Sequence, residues 1–277
     1  MPELPEVETV RRGLQPILEQ RVLTRVEQRR PDLRIPFPDD FVARLEGHRV
    51  ESLRRRAKYL LLDLDDDTVV IAHLGMSGRM VVKPKGNNAP LEAHDHVVLH
   101  TDQGESVVFN DARRFGLMTL TDRKSETSHP LLRHLAPDPT EPAFTGPHLA
   151  DRLAGKRTPI KAALLDQTVI GGVGNIYASE ALYRAGISPR RLAASVKRKR
   201  AERLADAVRD VIAEAIEAGG SSLRDYVQAD GELGYFQHRW RVYDREGQAC
   251  PTPGCHGLVK RIVQSNRSTF YCGFCQR

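Results

Sequence analysis

Tyr59-Leu60-Leu61-Leu62-Asp63-Leu64, then Asp65-Asp66-Asp67, then Thr68-Val69-Val70-Ile71-Ala72-His73 reads as two short apolar strands joined by an acidic turn. Short runs rich in Val, Ile and Leu, bounded by turn residues, are the pattern of strands. Working outward, similar runs occupy 22–26, 50–53, 79–82, 96–101, 106–110 and 117–120, with Gly75 and Asp102-Gln103-Gly104 among the turns between them. About eight short strands at this spacing predict a β-sandwich or barrel in the N-terminal half. Ahead of them Val7, Val10, Leu14 and Ile17 or Leu18 recur at helical spacing, so a short helix is expected to pack on the strands.

Beyond the strands the pattern changes. Ala136-Pro137-Asp138-Pro139-Thr140-Glu141-Pro142 has the composition of a linker. After it, 149–153, 160–165 and 176–185 look helical, interrupted by Gly171-Gly172-Val173-Gly174-Asn175. Leu204, Val208, Val211, Ile212, Ala215 and Ile216 form an apolar stripe that Gly219-Gly220 closes. The expected organisation is an α+β chain: a β-rich domain over 1–135, a linker over 136–148, a helical domain over 149–236 and a small module over 237–277.

The 277 residues carry 42 Lys+Arg and 36 Asp+Glu, a net charge of +6, and 40% are hydrophobic. That composition excludes a disordered chain. No run approaches the ~18 apolar residues of a membrane span, and Met1-Pro2-Glu3-Leu4-Pro5-Glu6 has acids where a secretory signal needs basic then apolar residues, so a cytoplasmic protein is expected. The charge is unevenly spread. From Gln237 onward Arg239, Arg241, Arg245, Lys260, Arg261, Arg267 and Arg277 face only Asp244 and Glu246, which places most of the excess in the tail. A concentrated positive patch suits a polyanion, because neutralising phosphates releases counterions.

All four cysteines lie in that tail. Cys250 and Cys255 form one close pair, Cys272 and Cys275 another. Two pairs at the ends of a hairpin converge to a closed tetrahedral thiolate site, for which one structural Zn²⁺ is favoured over iron. His256 is not expected to ligate, since four thiolates complete the shell. The short segment around them is too polar to fold alone, so the metal would supply folding free energy.

The N-terminus is a second chemical feature. Pro at position 2 permits removal of Met1, which leaves a secondary amine; while Met1 is present the same nitrogen is an inert amide. An α-amino group with a pKa of about 7.7–8.0 is far more often unprotonated at neutral pH than lysine. Such an amine attacks electrophilic carbon, and its iminium adduct is an electron sink for elimination. Glu3 and Glu6 supply carboxylates beside it.

Five segments carry a specific resemblance: Pro2-Glu3-Leu4-Pro5-Glu6-Val7-Glu8-Thr9-Val10, Ala72-His73-Leu74-Gly75-Met76-Ser77-Gly78-Arg79, Asp111-Ala112-Arg113-Arg114-Phe115-Gly116, Gly172-Val173-Gly174-Asn175-Ile176-Tyr177-Ala178 and the four-cysteine hairpin. In that order they resemble the bacterial formamidopyrimidine-DNA glycosylases. The resemblance implies an N-terminal β-sandwich with flanking helices, and a C-terminal helical domain with a helix-two-turns-helix motif and a zinc hairpin. It also implies a monomeric, nucleoid-associated base-excision enzyme acting on damaged double-stranded DNA, with no membrane partner. Such an enzyme removes 8-oxoguanine and formamidopyrimidines and then cleaves the strand by β,δ-elimination.

By position, the resemblance makes Pro2 the nucleophile, Glu3 the acid, Lys58 the lysine of β-elimination or phosphate contact, and Arg267 the finger arginine. Arginine stays protonated, so Arg267 reads better as a phosphate clamp than as a proton donor. Met76, Arg113 and Phe115 match the residues that fill the gap left by an extruded base; Arg114 beside them is the less favoured choice. Asn175, Lys156, His94 and His73 match DNA-contacting positions, and 221–234 matches a lesion-capping loop. An endonuclease VIII-like enzyme for oxidised pyrimidines is the nearest alternative, disfavoured by Leu4, where that branch has Gly. A catalytically inactive zinc-dependent DNA-binding protein is disfavoured by the intact Pro2, Glu3, Lys58 and Arg267.

Overall fold

The computed structural model describes residues 2–87, 89–221 and 234–277. They fall into two compact units, Met1–Arg133 with Ala218–Tyr235, and His134–Glu217 with Phe236–Arg277.

The first unit begins with α1 (Leu4–Leu18), followed by β1 (Leu23–Gln28), the short α2 (Phe41–Leu45), β2 (Val50–Arg56), β3 (Tyr59–Leu64), β4 (Thr68–His73), β5 (Arg79–Lys83), β6 (Asp95–Thr101), β7 (Ser106–Asn110) and β8 (Leu117–Asp122). The strands form two four-stranded sheets, ordered β1-β6-β7-β5 and β2-β3-β4-β8, and every pairing is antiparallel. This is the sandwich form of the two all-β options. Leu60, Leu62 and Leu64 of one sheet and Val97, Leu99, Val107 and Phe109 of the other meet in a single core, as strand periodicity requires. Into the same core α1 inserts Val7, Val10, Leu14 and Leu18, while Ile17 is only partly buried. Leu61, Val69 and Ile71, on the opposite face of β3 and β4, are buried too. That is why these strands read as unbroken apolar runs instead of alternating ones.

A charge hub ties α1 to the sheet. Glu8 accepts from Arg11 (2.9 Å), Arg12 (2.9 Å) and Arg55 of β2 (3.0 Å). Although burial acts to raise its pKa, these guanidiniums prevail and hold the Glu8 carboxyl at about 2. On the far side of the sheet Asp63 pairs with Arg54, which also reaches Glu126 (2.7 Å).

The second unit contains α3 (Gly146–Leu153), α4 (Ile160–Leu164), α5 (Asn175–Arg184) and α6 (Lys199–Glu217), then a hairpin of β9 (Val259–Gln264) and β10 (Arg267–Cys272). The apolar stripe read from the sequence is the buried side of α6, including Leu204, Val208, Val211, Ile212 and Ala215. Residues 136–148, read as a linker, contribute buried Ala136, Asp138 and Phe144 to this unit. The hairpin turns on Ser265 and Asn266, both at positive φ (48° and 58°), the geometry of a tight two-residue turn. Among the described residues no helix is long and apolar enough to cross a membrane.

Candidate active site

In the first unit the chain enters α1 directly from Pro2, and Pro2, Glu3 and Glu6 are all buried. Glu3 is the N-cap, and Glu3 and Glu6 form a reciprocal capping box in which the Glu3 backbone N–H donates to Glu6 Oε2 at 2.8 Å. The other oxygen of Glu6 accepts from the backbone N–H of Ser221, also at 2.8 Å. Gly220, at φ +79°, allows this approach, since a Cβ there would stand 3.0 Å from the Glu6 carboxylate. One carboxylate thus fixes both the N-terminal segment and the chain leading to residue 221. The expected capping loop at 222–233 lies outside the described residues.

Lys58, which in sequence passes for an ordinary edge lysine, is 7% exposed. It sits in the β2–β3 turn, where Ala57 takes positive φ (52°). Arg55 bridges that turn to α1: its Nε donates to Glu8, and its Nη1 donates to the Ala57 carbonyl at 3.1 Å. The link holds the first turns of α1 against the turn that carries Lys58.

His73 ends β4 opposite Tyr59, with the two rings 4.9 Å apart. Its Nδ1 accepts from the backbone N–H of Gly75 at 2.9 Å, so the free hydrogen is on Nε2. Burial first, then the charges of Lys58 and Arg34, push its pKa down to about 4. His73 is therefore a neutral donor at physiological pH. Arg34 was not singled out in the sequence, where it is one arginine among many; its backbone N–H donates to the Gly116 carbonyl at 3.0 Å.

The structure brings Met76, Arg113 and Phe115 onto two adjoining loops. Met76 is 39% and Phe115 44% exposed, unusual for large apolar side chains, and the Arg113 guanidinium lies over the Phe115 ring at 4.9 Å. The loops touch through main chain: a Cβ on Gly75 would fall 2.3 Å from the Phe115 carbonyl carbon. Asp111, fully buried, joins them. Its Oδ1 accepts from Ser77 Oγ (2.6 Å) and its Oδ2 from the Gly116 N–H (2.8 Å), while Ser77 Oγ accepts from the Arg113 N–H (3.2 Å). Asp111 and Ser77 lie inside quoted motifs but were not identified as organisers, because an acid and a serine beside exposed arginines read as surface. His94 is exposed at the same edge, and its carbonyl accepts from the Asp111 N–H.

In the second unit Asn175 opens α5 after Gly174. Its Nδ2 donates to the Ser268 carbonyl at 3.0 Å, next to exposed Arg267, so these two predicted residues share one neighbourhood. The same carbonyl accepts from Lys161 Nζ (2.8 Å), which also donates to Thr269 Oγ1 (2.7 Å). Lys161 is 1% exposed, and no sequence signal separates it from a solvated helix lysine. Lys156 pairs with Asp166 at 3.2 Å. Buried Glu180 of α5 accepts from the consecutive backbone N–H groups of Arg241, Val242 and Tyr243 (2.8–3.1 Å), fixing the path of the chain into the hairpin.

The four cysteine sulfurs lie within 4.8 Å of one another, with Cys250–Cys275 and Cys255–Cys272 each at 3.7 Å. A tetrahedron with metal–sulfur bonds of about 2.3 Å has edges of about 3.8 Å, whereas a disulfide needs about 2.05 Å. The spacing is that of four ligands around one ion. Gly257 makes the closure possible, as a Cβ there would stand 2.9 Å from Cys272 Sγ, and its N–H donates to Cys255 Sγ. His256 is exposed and outside the cluster.

A capped N-terminal segment on a β-sandwich, together with a helical unit that ends in a four-thiolate hairpin, defines the class. Comparison with known proteins gives the family. The model of the formamidopyrimidine-DNA glycosylase N-terminal domain matches residues 1–118, and that of the formamidopyrimidine-DNA glycosylase H2TH domain matches 135–227. Formamidopyrimidine-DNA glycosylases from Paracoccus denitrificans and Beijerinckia indica are 59% and 57% identical over the full length of both chains. The crystal structure of MutM (Fpg) from Thermus thermophilus is 42% identical with a TM-score of 0.88, covering 99% of this chain and 98% of that one. Lactococcus lactis Fpg in complex with DNA containing an abasic site is 30% identical with a TM-score of 0.89, covering 99% of each chain. The chain belongs to the formamidopyrimidine-DNA glycosylase family.

Proposed function

We propose that this protein is a bifunctional DNA glycosylase and abasic-site lyase of base excision repair that excises oxidised purines, 8-oxoguanine and formamidopyrimidines, from duplex DNA. The observation that carries the proposal is the buried head of α1, where Pro2 precedes a capping box of two carboxylates, one of which, Glu6, also holds the chain at Ser221. Once Met1 is removed, the Pro2 nitrogen attacks the sugar C1′ and the C1′–base bond breaks. Glu3 supplies the proton taken up by the sugar oxygen or the departing base. After the amine proton is lost, the C1′–O4′ bond opens with its electrons kept by the protonated sugar oxygen, and the nitrogen's electron pair becomes the C=N bond of an iminium, which acidifies the C2′ hydrogens. Loss of one of these expels the 3′ phosphate, and a second elimination expels the 5′ phosphate. Lys58 assists β-elimination or binds phosphate, and Arg267 is a phosphate clamp.

The remaining roles follow from chemistry and family membership. Met76 and Phe115 fill the gap left by the extruded nucleotide while Arg113 hydrogen-bonds the orphaned base. His73, His94, Lys156 and Asn175 contact the phosphate backbone; for Lys156 this requires release from Asp166. Cys250, Cys255, Cys272 and Cys275 hold one structural Zn²⁺, whose chemistry is confined to fixing the hairpin. The protein acts as a monomer in the cytoplasm, at the nucleoid.

The test is to incubate the processed protein with duplex carrying 8-oxoguanine opposite cytosine and to add borohydride. A covalent complex is expected, strongly reduced in Pro2→Gly. Equal trapping by that variant would remove Pro2 as the nucleophile, and preferential trapping on thymine glycol would favour the endonuclease VIII-like reading.

A further inference from the structure

The second unit contains a cavity of about 380 Å³ that none of the roles above uses. Its walls are Arg184 at the end of α5, Glu214 on α6, and Arg239, Trp240, Arg241 and Arg245 from the segment leading to the hairpin. Arg184 is committed to Glu214 in a bidentate pair, Nη1 to Oε1 at 2.5 Å and Nη2 to Oε2 at 2.7 Å. Arg245 is oriented by Gln248 (2.8 Å) and by the carbonyls of Trp240 and Arg241 (3.2 and 3.3 Å). The Arg239 and Arg241 side chains, by contrast, make no hydrogen bond or ion pair among the described residues. Their charges, after the Arg184 hydrogen bond, help hold the Glu214 carboxyl below its usual range.

Four guanidiniums therefore surround one carboxylate that is already paired, leaving a strongly positive concavity. Arginine presents donors in a fork that matches phosphate oxygens. Trp240 adds an aromatic wall, set edge-to-face with Tyr243 at 4.9 Å. The volume lies in the range of about 300–1,000 Å³ typical of small-molecule sites, more room than a bare phosphate needs and far less than a duplex.

We propose that this cavity binds a nucleotide, its phosphates on Arg239 and Arg241 and its base against Trp240. The path of the segment is set by the Glu180 contacts to the backbone, so the cavity persists whatever occupies it.

Trp240 is the chain's one tryptophan, so intrinsic fluorescence reports on this cavity alone. The full-length protein is titrated with ADP, with adenosine and with inorganic phosphate, excited at the red edge of the indole band, and each titration is repeated by calorimetry so that a silent fluorophore does not hide binding. Saturable binding of ADP is expected, at least tenfold tighter than either fragment and weakened by salt. The double variant Arg239→Ala/Arg241→Ala, which removes no side-chain hydrogen bond or ion pair among the described residues, is expected to raise the Kd for ADP at least tenfold with the urea midpoint shifted little. Trp240→Phe should abolish the optical signal while calorimetric binding remains. Absence of ADP binding by both methods at millimolar concentration would overturn the proposal. So would equal affinity for phosphate alone, or an unchanged Kd in the double variant.

Discussion

Asp111→Ala tests whether one buried carboxylate holds the two loops that carry Met76, Arg113 and Phe115. In the native fold Asp111 is fully buried and accepts from Ser77 Oγ and the Gly116 N–H. Alanine leaves both donors without an acceptor, at about 1–3 kcal/mol each, offset in part because a charge no longer has to be buried; the net expectation is about 3 kcal/mol of lost stability. Asparagine keeps an oxygen for Gly116 and offers an N–H to Ser77, so Asp111→Asn should cost only about 1 kcal/mol. Function should divide in the same way. Base extrusion costs a few kcal/mol that the proposed wedge of Met76 and Phe115 would offset, and every ~1.4 kcal/mol of lost support is a tenfold slower excision. Single-turnover excision from duplex DNA should therefore fall more than tenfold in Asp111→Ala. Lyase activity on a single-stranded abasic site, where nothing has to be extruded, should stay within a few-fold of wild type. Urea melts and the two assays side by side are sufficient. If Asp111→Ala is destabilised by less than about 0.5 kcal/mol, if Asp111→Asn is equally damaged, or if both activities fall together, the strut reading fails.

Three further outcomes are expected. The Glu8 pKa lies near 2 in the fold against an ordinary 4.5, so the Glu8 hub stabilises fully above pH 4.5 and is lost as pH falls toward 2. Acid melts of Glu8→Gln should accordingly be flatter than wild type between pH 5 and 2, and parallel curves would dismiss the hub as a source of acid sensitivity. Chelation of the proposed zinc should release one ion per chain and expose Tyr183, Val242 and Phe270, which pack around the cysteines; near-ultraviolet dichroism unchanged after complete zinc release would contradict this. Finally, Arg267→Ala should weaken DNA binding and lower the salt slope by about one unit, whereas an unaltered slope would take Arg267 out of the phosphate contacts.

What was legible in the sequence was what periodicity and local chemistry encode. The strands at 59–64, 68–73 and 106–110 coincide with the observed ones, because alternating or continuous apolar runs bounded by turn residues leave little choice of structure. The thiolate site was legible for a similar reason, since two close pairs at the ends of a hairpin must converge. Sandwich and barrel could not be separated, as the choice depends on which strands pair across long stretches of chain, such as β1 with β6. Organising residues were the least visible. Arg55, Asp111, Lys161 and Glu180 carry charges that a sequence reader assigns to the surface, and only the fold shows that each side chain is buried against backbone groups it satisfies.

The Glu180 anchor bears on how this protein can change over generations. It grips positions 241–243 solely by their peptide N–H groups, which every residue except proline possesses. Selection can therefore replace the side chains of Arg239, Trp240 and Arg241 without shifting the course of the backbone that delivers the four-cysteine hairpin. Placement of the hairpin and the chemistry of the cavity beside it are separable traits, free to evolve at different rates within one short stretch of chain.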